Sequence, residues 1–166
     1  RMTGRKMDLW NGGCHVHARF SEEALMALKE QYPDAKVLAH PECKASILQH
    51  ADVIGSTQAL LNFAISNSSS ERPISNSEAS HIRYIIATES GILHEMQKSC
   101  PEVEFIAVPA VMGDMTICQC NECEYMRMCS LKNLRDCLRE ELGEILVDDT
   151  VAKDAIKPIQ RMLEMS

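Results

Sequence analysis

Four short apolar runs, at residues 36–39, 51–54, 82–88 and 104–108, are each separated from the next by a stretch that reads as helix or loop. Residues 82–88, Ile-Arg-Tyr-Ile-Ile-Ala-Thr, are the clearest, because aromatic and β-branched side chains fit a pleated surface. Such runs, alternating with helices, predict a parallel sheet covered by helices, an α/β fold. In sheets of this kind the working residues collect at the carboxyl ends of the strands. His40, Glu42, Ser56, Thr57, Thr88 and Glu89 all fall just after a predicted strand, which points to repeated copies of one α/β module.

The intervening segments supply the helices. Residues 21–32 form one, capped by Ser21, with Glu22 and Glu23 in its first turn and Pro33 at its end. Its apolar side is Leu25, Met26 and Leu28. A second helix spans 43–50 with Ile47 and Leu48 turned inward, a third runs through Leu60, Leu61 and Phe63, and a fourth covers 89–98. Residues 124–142 read as one long helix, 145–147 as a short strand, and 150–165 as a final helix with Thr150 as cap and Pro158 as a kink. The Ser/Asn-rich stretch 66–81, with Pro73, reads as a flexible loop or insertion.

Composition narrows the function classes. The net charge is −7, and there is no tract of five or more basic residues, which argues against a nucleic-acid footprint. No apolar run approaches the ~20 residues a membrane helix needs. Residues 1–10 lack the apolar core and cleavage site of a signal peptide. With no initiator Met, the chain is expected to begin mid-domain, as a fragment. Its eight cysteines are many for its length. Cys118, Cys120 and Cys123 are crowded together without a secretion signal, which favours metal or cluster binding over disulfides.

Four constellations can carry chemistry. In Gly12-Gly13-Cys14-His15-Val16-His17 two glycines permit a tight turn before a cysteine and two histidines. Cys14 is either a thiolate ligand at the mouth of a site or a buried thiol beside a turn. In His40-Pro41-Glu42, Pro41 favours an extended His40, and residues i and i+2 of an extended segment share a side. A carboxylate beside an imidazole holds its tautomer and raises its basicity, so the pair can move protons. The competing reading is a helix-start Glu and a surface His.

Gly55-Ser56-Thr57 sits between a strand and a helix, where hydroxyls and backbone N–H groups favour a carboxylate or phosphate, although Ser and Thr are also ordinary caps. Cys118, Cys120 and Cys123, with Cys129 behind them, suit zinc, an iron–sulfur cluster or a redox pair. Cys43, Cys100 and Cys137 lie in or beside helical patterns and read as buried structural thiols.

Taken in order, these segments resemble quinolinate synthases. The matching stretches are Gly13-Cys14-His15-Val16-His17-Ala18-Arg19-Phe20, Ala39-His40-Pro41-Glu42-Cys43, Ala51-Asp52-Val53-Ile54-Gly55-Ser56-Thr57, Ile86-Ala87-Thr88-Glu89-Ser90-Gly91-Ile92, Cys120-Asn121-Glu122-Cys123-Glu124-Tyr125-Met126 and Arg161-Met162-Leu163. Their order and spacing fit from about residue 8 to the end of the chain.

The resemblance implies three three-layer αβα modules with short parallel sheets, arranged around a pseudo-threefold axis. One cysteine from each module would hold a central [4Fe–4S] cluster. Cys14 and Cys123 are two of those ligands by resemblance, and the third lies in a module outside this chain. Residues 1–66 would be part of the second module, 67–81 an insertion, and 82–166 the third module. His40 and Glu42 would act in proton transfer or substrate orientation. Pro41 and His17 would line the pocket, and Ser56 and Thr57 would bind a carboxylate or phosphate. The implied reaction condenses iminoaspartate with dihydroxyacetone phosphate to quinolinate, the precursor of NAD.

The expected partners are these two substrates and iron–sulfur assembly proteins, with no nucleic acid and no membrane. Oligomeric state stays open. The compartment would be cytoplasmic in a bacterial member and the plastid stroma in a plant one. A fragment with two ligands of three is expected to be inactive alone. The competing readings are a zinc-stabilised binding module built on Cys118, Cys120, Cys123 and Cys129, and a non-catalytic α/β domain.

Overall fold

The computed structural model describes residues 6, 12–68, 82–111, 117–118 and 121–165. The chain divides into two compact units, Arg1–Met126 and Arg127–Ser166. The first contains α1 (Glu22–Gln31), β1 (Lys36–Ala39), α2 (Ala45–Leu48), β2 (Val53–Ile54), α3 (Thr57–Ser68), β3 (Arg83–Ala87), α4 (Gly91–Ser99), β4 (Glu104–Ala107), β5 (Ala110–Val111), β6 (Ile117–Cys118) and α5 (Glu124–Arg127), which ends across the boundary. The second holds α6 (Leu131–Glu140) and α7 (Asp149–Glu164).

The four longer-range strands form one all-parallel sheet in the order β2-β1-β3-β4. β1 therefore has β2 on one side and β3 on the other, with Lys36 opposite Tyr84 and Ala39 opposite Ala87. The sheet takes strands from both sides of residues 67–81. Burial explains why these runs carry no polar alternation: Val37, Leu38, Ala39, Tyr84, Ile85, Ile86 and Ala87 are all buried, as in a sheet covered on both faces.

Successive side chains point to opposite faces, and the packing follows that rule. Val37, Ala39, Ile85 and Ala87 join Leu25 of α1 and Ile47 of α2 on one face. Leu38, Tyr84 and Ile86 join Leu60 and Ala64 of α3 and Met96 of α4 on the other. This is the expected three-layer αβα arrangement.

Several local expectations hold. The Ser21 hydroxyl accepts the Ala24 N–H at 3.2 Å and caps α1. Cys43 and Cys100 are buried. Others are corrected. Met26 is 38% exposed, so the inward side of α1 is Leu25 and Leu28. The segment at 43–50 is helical only over Ala45–Leu48, and the strand at 51–54 only over Val53–Ile54.

The long helix expected at 124–142 is two helices. α5 ends at Arg127, and Ser130 starts α6 by accepting the Asn133 N–H at 3.1 Å. A serine hydroxyl offered to an N3 amide is a stronger local signal than continuing helical propensity. Residues 145–147 form no strand: Ile145 is 85% exposed and has no neighbouring strand to pair with among the described residues.

α7 is capped by Asp148, two residues ahead of the expected Thr150, and it runs through Pro158 unbroken. Cys137 is exposed on α6 rather than buried. The antiparallel pair β5–β6, with Ala110 opposite Cys118, was expected to be loop. Residues 66–68 of the expected loop are helical, because α3 continues to Ser68; the rest of that stretch, 69–81, lies outside those described.

Candidate active site

Every strand of a parallel sheet ends on the same edge, and a ligand crevice opens where neighbouring connections run in opposite directions. The order β2-β1-β3-β4 puts that point between β1 and β3. His40 follows β1, and Thr88 and Glu89 follow β3. The His40 N–H extends the ladder by donating to the Ala87 carbonyl at 3.0 Å.

The Cys14 segment is brought to this edge by its own turn and by one anchor. The Ala18 N–H donates to the Cys14 carbonyl at 3.0 Å, and His17–Arg19 form a 3-10 turn. Phe20, 3% exposed, bridges to Ala110 just past β4, and the Ser21 N–H reaches the Pro109 carbonyl at 3.3 Å. The anchor turns His17 inward.

His17 is the hub. Its Nε2 lies 3.2 Å from Thr88 Oγ1, and its ring stacks on His40 with centroids 4.5 Å apart. Its Nδ1 lies 3.3 Å from Glu42 Oε2, in ion-pair range but off the hydrogen-bond direction, so this buried nitrogen has no hydrogen-bond partner. The carboxylate beside Nδ1 favours the proton there, so Nε2 accepts from the Thr88 hydroxyl. Burial first, and then the neighbouring His40, hold the His17 imidazole below its ordinary pKa; the carboxylates of Glu42 and Glu89 pull it upward.

His40 Nδ1 accepts the Glu42 N–H at 3.3 Å, which leaves Nε2 as the protonated nitrogen of the neutral ring. The Glu42 carboxylate, 55% exposed, also lies 3.6 Å from that Nδ1. One carboxylate is thus shared between two stacked imidazoles. Cys14, His17 and Glu42 each place a ligand atom within 4.8 Å of the other two. Glu42 thus lies beside both His40 and His17, with Cys14 close to Glu42 and His17.

The remaining expected residues are placed as follows. Ser56 is exposed, and its hydroxyl accepts the Ala59 N–H at 3.3 Å, an ordinary cap for α3. Thr57 opens the same helix and is half-buried, while Pro41 is exposed on the turn. Cys123 is a half-buried free thiol whose loop is tied to the end of β3 through Glu89 and Ser90. Cys129 is an exposed free thiol, and the side chains of Cys118 and Cys120 lie outside those described.

Sequence reasoning assigned no role to Thr88, Asn121 or the contact between His15 and Tyr125. Thr88 carried a signal in its position one residue beyond a strand. Asn121 is 2% exposed and hydrogen-bonds the Val108 carbonyl through its side chain. His15 meets Tyr125 edge to face at 5.4 Å, joining the segment after Cys14 to the segment after Cys123.

The family of the chain is decided by comparison. The model of the quinolinate synthetase A protein family matches residues 1–164. This chain belongs to that family. The quinolinate synthase of Microcystis aeruginosa is 47% identical over the whole chain, which covers 47% of that relative. The quinolinate synthase of Chloroherpeton thalassium is 44% identical over the whole chain, again covering 47% of the relative. That of Cyanophora paradoxa is 43% identical over 99% of the chain and 45% of the relative. The chain spans about half the length of the quinolinate synthases it matches. Among the described residues, no helix is long and apolar enough to cross a membrane.

Proposed function

We propose that this chain supplies part of the active site of a quinolinate synthase, which condenses iminoaspartate with dihydroxyacetone phosphate and releases water and phosphate. The observation that carries the reading is the convergence of Cys14, His17 and Glu42 within 4.8 Å at the switch point of the sheet, in a chain of this family.

The donor set suits a [4Fe–4S] cluster. Clusters are held by cysteine thiolates, and Cys14 and Cys123 are both free, half-buried thiols. These two would be its ligands from this chain. With three cysteines on four irons, the bound cluster would supply one open iron as a Lewis acid for a substrate oxygen or nitrogen.

The chain's own residues would handle protons and anionic groups. The Glu42 carboxylate, more than half exposed, lies beside both imidazoles and can exchange a proton with a bound substrate, while the buried His17 backs it through Nδ1. His40, 19% exposed at its side chain, offers Nε2. Pro41 fixes the turn that carries this pair. Thr57 and the amides at the start of α3 can hold a carboxylate or phosphate, with Ser56 beside them. Iron–sulfur assembly proteins would load the cluster.

The test uses the full-length protein, purified anaerobically. Four irons per chain and quinolinate formation are expected, with both lost in Cys14→Ser and in Cys123→Ser. One tightly held zinc and no iron, or full iron in both variants, overturns the reading.

A further inference from the structure

Glu89 stands between the end of β3 and the Cys123 loop. Its carboxylate accepts two main-chain N–H groups, that of Gly91 at 2.7 Å through Oε2 and that of Cys123 at 3.3 Å through Oε1. The first contact is local and holds the carboxylate over the start of α4. The second reaches across 34 positions of sequence to the peptide of the thiol itself.

Gly91 bears on the same arrangement from a different direction. A Cβ built on Gly91 would lie 2.7 Å from Glu89 Oε2, closer than real Cβ contacts come. With a side chain at residue 91, the carboxylate would have to move from this position. A separate tie secures the near side of the loop: the Asn121 carbonyl accepts the Ser90 N–H at 3.0 Å, and the Asn121 side chain bonds Val108 past the end of β4. The loop is thus fixed to the ends of two adjacent strands, with Glu89 holding the Cys123 peptide.

We propose that Glu89 is a positioning residue for the Cys123 thiol, and that Gly91 is small so that the Glu89 carboxylate can reach the Cys123 peptide. The proposal rests on the reading of Cys123 as a cluster ligand. Groups that orient a metal ligand from behind typically change metal affinity by roughly 10- to 100-fold when removed.

The test uses full-length protein carrying Glu89→Ala, Glu89→Gln, Gly91→Ala or both Glu89→Ala and Gly91→Ala. In metal-free protein, hydrogen exchange is followed in peptides covering residues 121–126. In loaded protein, the rate of iron loss to a chelator is measured. Glu89→Ala is expected to speed exchange in that peptide and to raise iron loss about tenfold or more, with no matching drop in melting temperature. Gly91→Ala should do the same although the carboxylate is retained. Glu89→Gln should fall between, because its amide keeps one acceptor and turns a donor toward the other N–H.

The double variant should be no worse than Glu89→Ala alone, since both changes remove one interaction. Unchanged exchange in Glu89→Ala, or full additivity in the double variant, overturns the proposal. A Cys123→Ser variant separates its failure from that of the ligand reading. If Cys123→Ser keeps its iron, the ligand reading falls and takes the proposal with it. If Cys123→Ser loses iron while Glu89→Ala changes nothing, the proposal alone falls.

Discussion

His17 and His40 stack their imidazoles 4.5 Å apart with planes at 20°, and the Glu42 carboxylate lies within ion-pair range of both. Two stacked rings that both carry charge repel, and the shared carboxylate faces both of them. Because Glu42 is more than half exposed, removing its charge should alter chemistry far more than folding.

Glu42→Gln in the full-length enzyme is expected to lower kcat by roughly 10²- to 10⁴-fold, the usual range for a lost acid–base group. The melting temperature should stay within a degree or two of wild type. Steady-state rates and a thermal melt on the same preparation check this. Undiminished turnover would remove Glu42 from the proton-handling set.

Thr88 is 2% exposed and is the hydrogen-bond partner of His17 Nε2. Thr88→Val preserves shape and leaves that buried nitrogen unsatisfied, which should cost about 1–3 kcal/mol. Thr88→Ser keeps the hydroxyl and should cost less. Urea unfolding of the two variants distinguishes a lost hydrogen bond from a lost methyl contact.

The Cys43 thiol is 6% exposed and donates to the Ala87 carbonyl at 3.3 Å, and burial pushes its pKa up to about 11. Since the thiolate is the reactive form, Cys43 should resist iodoacetamide in native protein at pH 8 and react only on unfolding. Mass spectrometry of the alkylated peptide reads the result. Prompt native labelling would mean that the Cys43 pocket opens.

Leu60 is fully buried between α3 and the sheet, against Leu38, Tyr84, Ile86 and Met96. Leu60→Ala should destabilise by about 2–5 kcal/mol. Leu61, only partly buried beside it, should cost distinctly less when changed to Ala. Denaturant midpoints of the two variants provide the comparison.

Asp148 caps α7 by accepting the N–H groups of Val151 and Thr150, which hold its carboxyl below the ordinary aspartate value. A depressed folded pKa contributes stability that is complete above the unfolded value and is lost as pH falls through the folded one. Relative to the intrinsic rate at each pH, amide exchange at Thr150 and Val151 should therefore quicken on acidification below the ordinary aspartate range. Asp148→Ala should show the same fast exchange at neutral pH, and Asp148→Asn, which keeps an acceptor, should not.

The sheet was readable because its strands are buried on both faces and so appear as unbroken apolar runs. Ile145, Leu146 and Val147 make the same local pattern, yet find no partner strand among the described residues, and pairing rather than composition makes a strand. The β5–β6 pair is too short for periodicity to reveal. The His40-Pro41-Glu42 element was readable because its chemistry lies within three residues. The part played by Thr88 was hidden, since it depends on His17, 71 positions away. Asn121 looks like any loop amide until the end of β4 is beside it.

The position of β1 between β2 and β3 also governs how the protein tolerates change in length. Lys36 meets Tyr84 only after the chain has run through α2, β2, α3 and residues 69–81. The entropy of closing such an excursion grows logarithmically, so doubling its length costs only about 0.6 kcal/mol. Parallel pairing at this separation makes the strand junction slow to form, yet nearly indifferent to how many residues lie between α3 and β3. A change in the length of that segment would therefore still bring His40 and Thr88 to the same edge.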